Sequence, residues 1–221
     1  MSRGLFISLE GPDGSGKSTQ VAFLQRFFNE QRIDAVFTRE PGGTRIGEKI
    51  RDIILDKEYS EMDGVTEALL YAASRAQHVE EVIKPALEAG KVVVCDRFVD
   101  SSIAYQGYGR QLGDQVRIIN EYAVAGCMPD ITILMELDPG IGKGRIKAES
   151  QDRLEREKLE FHNRVYRGYR QLAEADPERF VEIDASRTKT EIRDDIIERV
   201  RIKLAERELI AGVGERGKAC H

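Results

Sequence analysis

The chain has 221 residues, a length that fits one α/β domain, with 41% hydrophobic residues for a substantial core and 33% charged residues for a helix-rich surface. Its net charge of −5 speaks against a nucleic-acid-binding face, yet leaves room for a local basic pocket around small phosphates. No apolar run approaches the roughly 18 residues that span a bilayer. The N-terminus enters a strand at once without a signal peptide, and Cys95, Cys127 and Cys220 have neither metal nor redox spacing, so a reducing cytoplasm is expected.

The first predicted strand, Leu5–Leu9, runs into Gly11-Pro12-Asp13-Gly14-Ser15-Gly16-Lys17-Ser18-Thr19. A helix is predicted over Ser18–Glu30, with Val21, Leu24, Phe27 and Phe28 on one face. Gly11, Gly16, Lys17 and Ser18 fill the G-x-x-x-x-G-K-[ST] phosphate-loop template in the strand-to-helix context that the motif requires. Glycines let successive backbone N–H groups turn inward around an anion, and the helix N-terminus adds partial positive charge. Lys17 would reach the β- and γ-phosphates of a nucleotide, and the Ser18 hydroxyl would ligate Mg²⁺. Asp13 puts a carboxylate beside those phosphates. It either bonds a sugar hydroxyl of a second substrate or simply favours the turn.

The second strand, Ala35–Thr38, leads into Thr38-Arg-Glu-Pro-Gly-Gly-Thr44, where Pro-Gly-Gly forces a turn and Thr44 can cap a helix from about Arg45. A turn after a parallel strand borders the ligand crevice, which makes Arg39, Glu40 and Arg45 candidate contacts. One long helix is predicted from about Val65 to Ala89, kinked or broken at Pro85. On it Tyr71 and Arg75 are four apart and share a face, a ring and a donor fork able to grip a base, although such pairs also serve structure alone.

The third strand, Val92–Cys95, ends in Asp96-Arg97. Asp96 is placed for the Mg²⁺ shell. Arg97 stays protonated and cannot be a general base, so it suits a phosphate clamp, unless the two residues form a plain surface ion pair. No Asn-Lys-x-Asp motif for guanine is present, and no Glu follows Asp96 to activate water, which favours transfer between two phosphate groups over hydrolysis. Ser102 and Gln106 are again four apart. After a fourth strand, Ile131–Leu137, the stretch Gly140–Arg156 carries Lys143, Arg145, Lys147, Arg153 and Arg156. It reads as a segment able to close over a triphosphate or as a solvated helix face. Lys143 in Gly-Ile-Gly-Lys-Gly lacks phosphate-loop spacing. A helix from about Leu154 to Ala175, a fifth strand at Phe180–Ile183 and a helix from Lys189 to about Leu209 complete the pattern. Gly212–His221 lacks periodicity and is expected to fray, with Cys220 and His221 as tail residues. The alternation predicts an α/β fold, a parallel five-stranded sheet flanked by helices. Residues 1–210 form one domain in this reading, with a lid at about 140–156 and a tail at 211–221.

Together, Glu10–Thr19, Thr38–Thr44, Leu70–Arg75, Asp96–Ser102 with Ala104–Gly107, and Asp152–Glu155 resemble the bacterial-type thymidylate kinases among the P-loop nucleoside monophosphate kinases, over Phe6 to about Val200. The resemblance implies ATP + dTMP → ADP + dTDP for dTTP supply, Mg²⁺ dependence and a homodimer. By position it implies that Gly11, Pro12, Asp13, Gly14, Ser15, Gly16, Lys17, Ser18 and Thr19 bind ATP, with Ser18 and Asp96 toward the metal. Arg97 and Arg39 would hold the dTMP phosphate and Asp13 the 3′-hydroxyl. Tyr71 would stack on thymine, Arg75 would bond its carbonyl, and Ser102 and Gln106 would meet the base edge. Tyr105 and Tyr169 would pack near the sugar. Family members usually carry Phe where Tyr71 stands, so an extra hydroxyl needs a partner. With no basic residue at Pro12–Ser15, the family's catalytic arginine is expected from the lid, with Arg145 and Arg153 as candidates. Two rivals stay open: a kinase for dUMP, CMP or a related monophosphate, and a regulatory module that hydrolyses ATP slowly.

Overall fold

The computed structural model describes residues 3–146 and 151–209. Among them, β1 (Phe6–Glu10), β2 (Ala35–Arg39), β3 (Val92–Asp96), β4 (Ile131–Glu136) and β5 (Phe180–Asp184) pair in parallel in the order β2-β3-β1-β4-β5. Side chains alternate between two buried layers, as the two-residue strand period requires. Phe6, Val93, Cys95 and Leu134 enter one layer; Ile7, Leu9, Val92, Val94, Ile131 and Ile133 enter the other. Ser8 and Thr132 are polar but buried, and their hydroxyls bond each other at 3.0 Å. Both faces are therefore covered, which explains the near-continuous apolar runs in the strands.

α1 (Lys17–Gln31) and α9 (Lys189–Glu206) pack on one face, where Leu24, Phe27 and Phe28 meet Ile192, Ile196 and Val200. The other face carries α3 (Gly64–His78), α4 (Lys84–Glu88), α5 (Val99–Ser102) and α8 (Leu159–Ala175). α2 (Arg45–Leu55) and α6 (Gln115–Val124) each pack against α3, and α7 (Pro139–Arg145) follows β4. The Thr44 hydroxyl accepts from Gly47 N at 2.9 Å and starts α2 as its sequence predicts. Thr188 and Glu191 form a reciprocal capping box at α9.

Three boundaries differ from the sequence pattern. The long helix is divided: α3 ends at His78, a wider π-helical turn spans Val79–Ile83, and α4 begins at Lys84. Pro85 lacks the N–H that a continuous helix needs there, and the chain loosens the preceding turn to accommodate it. α8 starts at Leu159 rather than near Leu154, because Asp152 Oδ1 accepts from Leu154 N and Glu155 N, both at 2.9 Å, and folds that stretch as a turn. α9 ends at Glu206 instead of about Leu209. The expected tail at 211–221 lies outside the described residues, as does Lys147 of the basic stretch.

β1 is the central strand. The chain fills β2 and β3 on one side of it and β4 and β5 on the other, which opens a crevice beyond the carboxyl ends of β1, β3 and β4.

Candidate active site

That crevice is a cavity of about 650 Å³. The phosphate loop forms one wall. Gly11 has φ 138°, and a Cβ there would lie 2.4 Å from Met135 O; Gly16, with φ 93°, ends the loop in a left-handed turn that opens α1. Gly11 has no room for a side chain, and the positive φ of Gly16 favours glycine. Lys17 is buried, and its Nζ donates to Gly11 O at 3.1 Å and Pro12 O at 2.9 Å. Burial first, then the neighbouring Arg97, pulls its pKa down to about 8. Ser18 Oγ donates to Asp96 Oδ2 at 3.4 Å. One hydroxyl and one carboxylate at this distance match what Mg²⁺ takes from protein when phosphates and waters supply the rest.

Arg97 occupies the middle of the cavity. Its φ of 70° is unusual for a residue with a side chain. Nη1 donates to Gly11 O at 3.0 Å and to Ser101 Oγ and Tyr169 Oη, each at 3.2 Å. Nη2 donates to Asp13 Oδ1 at 2.5 Å and Tyr105 Oη at 3.2 Å, while Tyr105 Oη donates to Asp13 Oδ2 at 2.7 Å. Burial alone would raise the Asp13 pKa, but Arg97 and then Lys17 outweigh it and hold the carboxyl below its ordinary value. The Asp13 charge that looks repulsive in sequence is thus neutralised by two cations. Arg39, at the end of β2, lines the same space and pairs with Glu48 through Nη1 at 2.6 Å and Nη2 at 3.0 Å.

The far end of the cavity holds Tyr71, Arg75, Ser102 and Gln106. Arg75 is 1% exposed. Its Nε donates to Glu40 Oε2 at 2.7 Å, Nη1 to Ser102 Oγ at 3.0 Å and to Asn120 Oδ1, and Nη2 to Phe98 O at 3.1 Å. Four of the five guanidinium N–H groups are engaged, leaving one on Nη2. Gln106 Nε2 donates to Glu67 Oε1 at 2.9 Å, and its Oε1 is buried with no partner among the described residues. Glu67 also receives Arg110 Nε at 3.2 Å and Nη2 at 3.0 Å. Burial first, and then Glu67, raises the Tyr71 hydroxyl well above its ordinary pKa, so it keeps its proton. The π-helical segment Ile103–Gly109 widens the turn after α5. Both Ser101–Ser102 and Tyr105–Gln106 thereby line the cavity, beyond the four-apart pair visible in sequence.

The basic residues of the 140–156 stretch separate into two groups. Arg145, at the end of α7, lines the cavity and donates to Gly14 O at 3.2 Å and Ala185 O at 3.4 Å. Arg153 does not line it: it is buried, with Nε on Ile54 O at 2.9 Å and Nη2 on Glu67 Oε2 at 2.6 Å. α7 sits directly on the phosphate loop. A Cβ at Gly14 would lie 2.3 Å from Gly142 O, and one at Gly142 would lie 2.4 Å from Asp13 O. The Gly-Ile-Gly-Lys-Gly stretch thus supplies close approach, and Lys143 points elsewhere, donating to Glu157 O at 2.7 Å.

Tyr169 lies behind Arg97 rather than on the cavity wall, and Arg45 is exposed outside it. Arg51, Lys189, Asp152 and Glu155 line the cavity as well; the sequence assigns none of the four a role in the site. For Arg51 a signal existed: it lies on the helix opened by the Thr38–Thr44 turn, and its Nη1 reaches back to Pro41 O at 2.9 Å.

The model of the family described as "Thymidylate kinase" matches residues 9–196. A thymidylate kinase of Geobacillus thermodenitrificans is 52% identical over 205 residues, covering 91% of this chain and 91% of the relative. One of Clostridium novyi is 47% identical over 200 residues, covering 89% of this chain and 98% of the relative. Among solved structures, the thymidylate kinase from Ehrlichia chaffeensis superposes with a TM-score of 0.74 at 32% identity, covering 90% of this chain and 99% of that one. A phosphate loop and a buried arginine hub at the end of one parallel sheet, matched along most of the length by these relatives, place the chain in the thymidylate kinase family.

Proposed function

We propose that the chain transfers the γ-phosphoryl group of ATP to dTMP, yielding dTDP, with the work divided between the two ends of the cavity. The observation that carries this reading is that one cavity holds Lys17, Ser18 and Asp96 at one end and Tyr71, Arg75, Ser102 and Gln106 at the other, with Arg97 between them. Residues Gly11–Thr19 hold the ATP phosphates, with Lys17 leaving its loop carbonyls for them. Ser18 and Asp96 would hold Mg²⁺, which when bound would supply charge neutralisation to the ATP phosphates. The acceptor phosphate is already anionic and needs no strong base, so catalysis rests on alignment and charge shielding. Arg97 and Arg39 hold that phosphate. Asp13 faces the 3′-hydroxyl, and Tyr105 packs beside the sugar. Arg145 is the lid arginine that shields the transferring group; Arg153 is a structural anchor. Tyr169 supports Arg97 instead of touching the sugar.

Polarity at the base end favours thymine. Arg75 offers an N–H, and the free Gln106 Oε1 needs one. A carbonyl beside a ring N–H satisfies both; cytosine presents the reverse and leaves a buried group unpaired, at about 1–3 kcal/mol. Uracil differs only by a methyl, worth about 1–3 kcal/mol, so dUMP is a weaker substrate instead of an excluded one.

We also read the chain as a homodimer. α2, α3 and α6 lie side by side and expose Ile53, Leu69, Ile118 and Tyr122, the last 85% exposed. Such an apolar face suits a second copy. No helix among the described residues is long and apolar enough to cross a membrane, and Cys95 and Cys127 are free thiols, which supports a cytoplasmic place for the reaction.

The test is ADP formation from Mg·ATP with dTMP, dUMP, CMP, AMP or no acceptor. Strong stimulation by dTMP above the others supports the reading. ADP release that no acceptor stimulates overturns it in favour of an ATPase-type module.

A further inference from the structure

Beneath Arg97 lies a carboxyl group that the phosphoryl-transfer mechanism does not use. Glu10 ends β1 and is fully buried. Its Oε1 accepts from Phe98 N at 2.7 Å. Its Oε2 accepts from Ser101 Oγ at 2.5 Å and from Tyr169 Oη at 3.1 Å, and the two hydroxyls are 2.8 Å apart. These are the same two hydroxyls that accept from Arg97 Nη1.

A hydroxyl owns one hydrogen and two lone pairs. With Glu10 collecting the hydrogens, directly or through Ser101 Oγ, the lone pairs of both hydroxyls are left facing the guanidinium. Without that acceptor nothing fixes their polarity, and a hydroxyl hydrogen turned toward Arg97 would repel it. The second contact acts on the backbone. Phe98 follows the residue held at φ 70°, and its N–H is fixed by Glu10 Oε1. One carboxyl group therefore sets both the turn that presents Arg97 and the polarity of the groups that cradle its guanidinium. Asp100 and its partner Arg179, which meet at 2.6 Å, lie beyond this layer and hold α5 against β4 through Thr132.

We propose that Glu10 is a positioning residue for Arg97, acting through Ser101 and Tyr169 to hold the guanidinium in line for phosphoryl transfer. This rests on the reading of Arg97 as the phosphate clamp. Glu10 is buried and does not line the cavity, so its contribution belongs in turnover more than in binding.

The experiment is a double-mutant cycle with Glu10→Gln and Arg97→Lys in the full chain, assayed at pH 8 with Mg·ATP and dTMP, alongside circular dichroism and ATP binding. Gln keeps an acceptor for Phe98 N–H but offers N–H groups where the hydroxyls need an acceptor. The expected result is a fall of about ten- to a hundredfold in kcat with the ATP KM within about twofold, and little further loss from Glu10→Gln once Arg97 is Lys. Full, independent losses that multiply in the double variant would overturn the proposal, as would a Glu10→Gln enzyme with wild-type kcat. If Arg97→Lys alone leaves kcat unchanged, the clamp reading of Arg97 falls and takes the proposal with it; acceptor selectivity of the unaltered enzyme is a separate readout of the thymidylate kinase reading. Should Glu10→Gln fail to fold, Tyr169→Phe removes one of the two relaying hydroxyls and must lower kcat in the same direction. A Tyr169→Phe enzyme with full turnover would overturn the proposal.

Discussion

Replacing Glu40 by Gln probes how Arg75, proposed to face the base, is held. Glu40 sits after β2, 4% exposed, with Arg75 Nε at 2.7 Å on one carboxyl oxygen and His78 Nδ1 at 3.0 Å on the other. The Arg75 and Glu40 side chains are 1% and 2% exposed, so neither charge has water to fall back on. Removing one partner of a buried pair leaves an uncompensated charge and costs about 3–5 kcal/mol. Ser102, Asn120 and the Phe98 carbonyl still hold Arg75, and an amide oxygen still accepts, which puts the expected loss at the low end, about 3 kcal/mol. For a chain of this length each kcal/mol moves the melting temperature by roughly 2–4 °C, so calorimetry should show a fall of about 6–12 °C. Steady-state kinetics on the folded variant should show a dTMP KM raised about tenfold with the ATP KM unchanged, as the proposed base-binding role of Arg75 requires. A melting temperature within about 2 °C of the parent would refute the reasoning, since it would mean that the remaining neutral partners suffice for the buried charge.

Lys17→Ala should lower turnover by several orders of magnitude, in line with the loss of other charge clamps in phosphoryl transfer, while the melt stays cooperative. Ile118→Asp with Tyr122→Asp should shift a dimer to monomer in light scattering coupled to size exclusion. The pH profile of kcat should carry an acid limb near 7 that Glu10→Gln removes. Burial, then Asp100, raises the Glu10 pKa to about 7, and the proposed clamp needs the ionised form, so turnover falls as pH drops through that value. Arg97 and the donors from Ser101 and Phe98 pull the other way, and Lys17, Cys95 and Tyr169 also face the group. Stability has the opposite sign. A folded pKa raised above its unfolded value gives stability that is full below the unfolded pKa and is lost as pH rises through about 7, so the parent should melt progressively lower than Glu10→Gln across that window.

The sheet, the phosphate loop and the helix after it were legible because each depends on short-range pattern: a run of apolar residues, a fixed glycine spacing, a helical stripe. The Thr44 cap was legible for the same reason. What escaped is long-range. Glu10 meets Tyr169 across 159 positions, and Glu67 meets Arg153 across 86. No periodicity encodes such partners, and an isolated Glu in a strand or helix reads as surface. Arg145 and Arg153 looked equivalent as lid arginines because both are basic in one basic stretch. In the structure Arg153, in the turn set by Asp152, bonds Glu67, while Arg145, at the end of α7, bonds Gly14 O beside the cavity. The resemblance places Tyr169 near the sugar; the structure adds that its hydroxyl bonds Arg97 and Glu10, partners the sequence does not indicate.

The seat of α7 on the phosphate loop leaves no room for a side chain on either partner. Any Cβ at position 14 would press on the Gly142 carbonyl at 2.3 Å, with the reciprocal conflict from position 142 at 2.4 Å. An arginine introduced at position 14 could enter the site only by evicting the segment that now brings Arg145. With Arg145 as the proposed source of the cation, this backbone cannot also host one at position 14. An evolutionary exchange between the two sources would require glycine to be gained or lost in the loop in step with the lid.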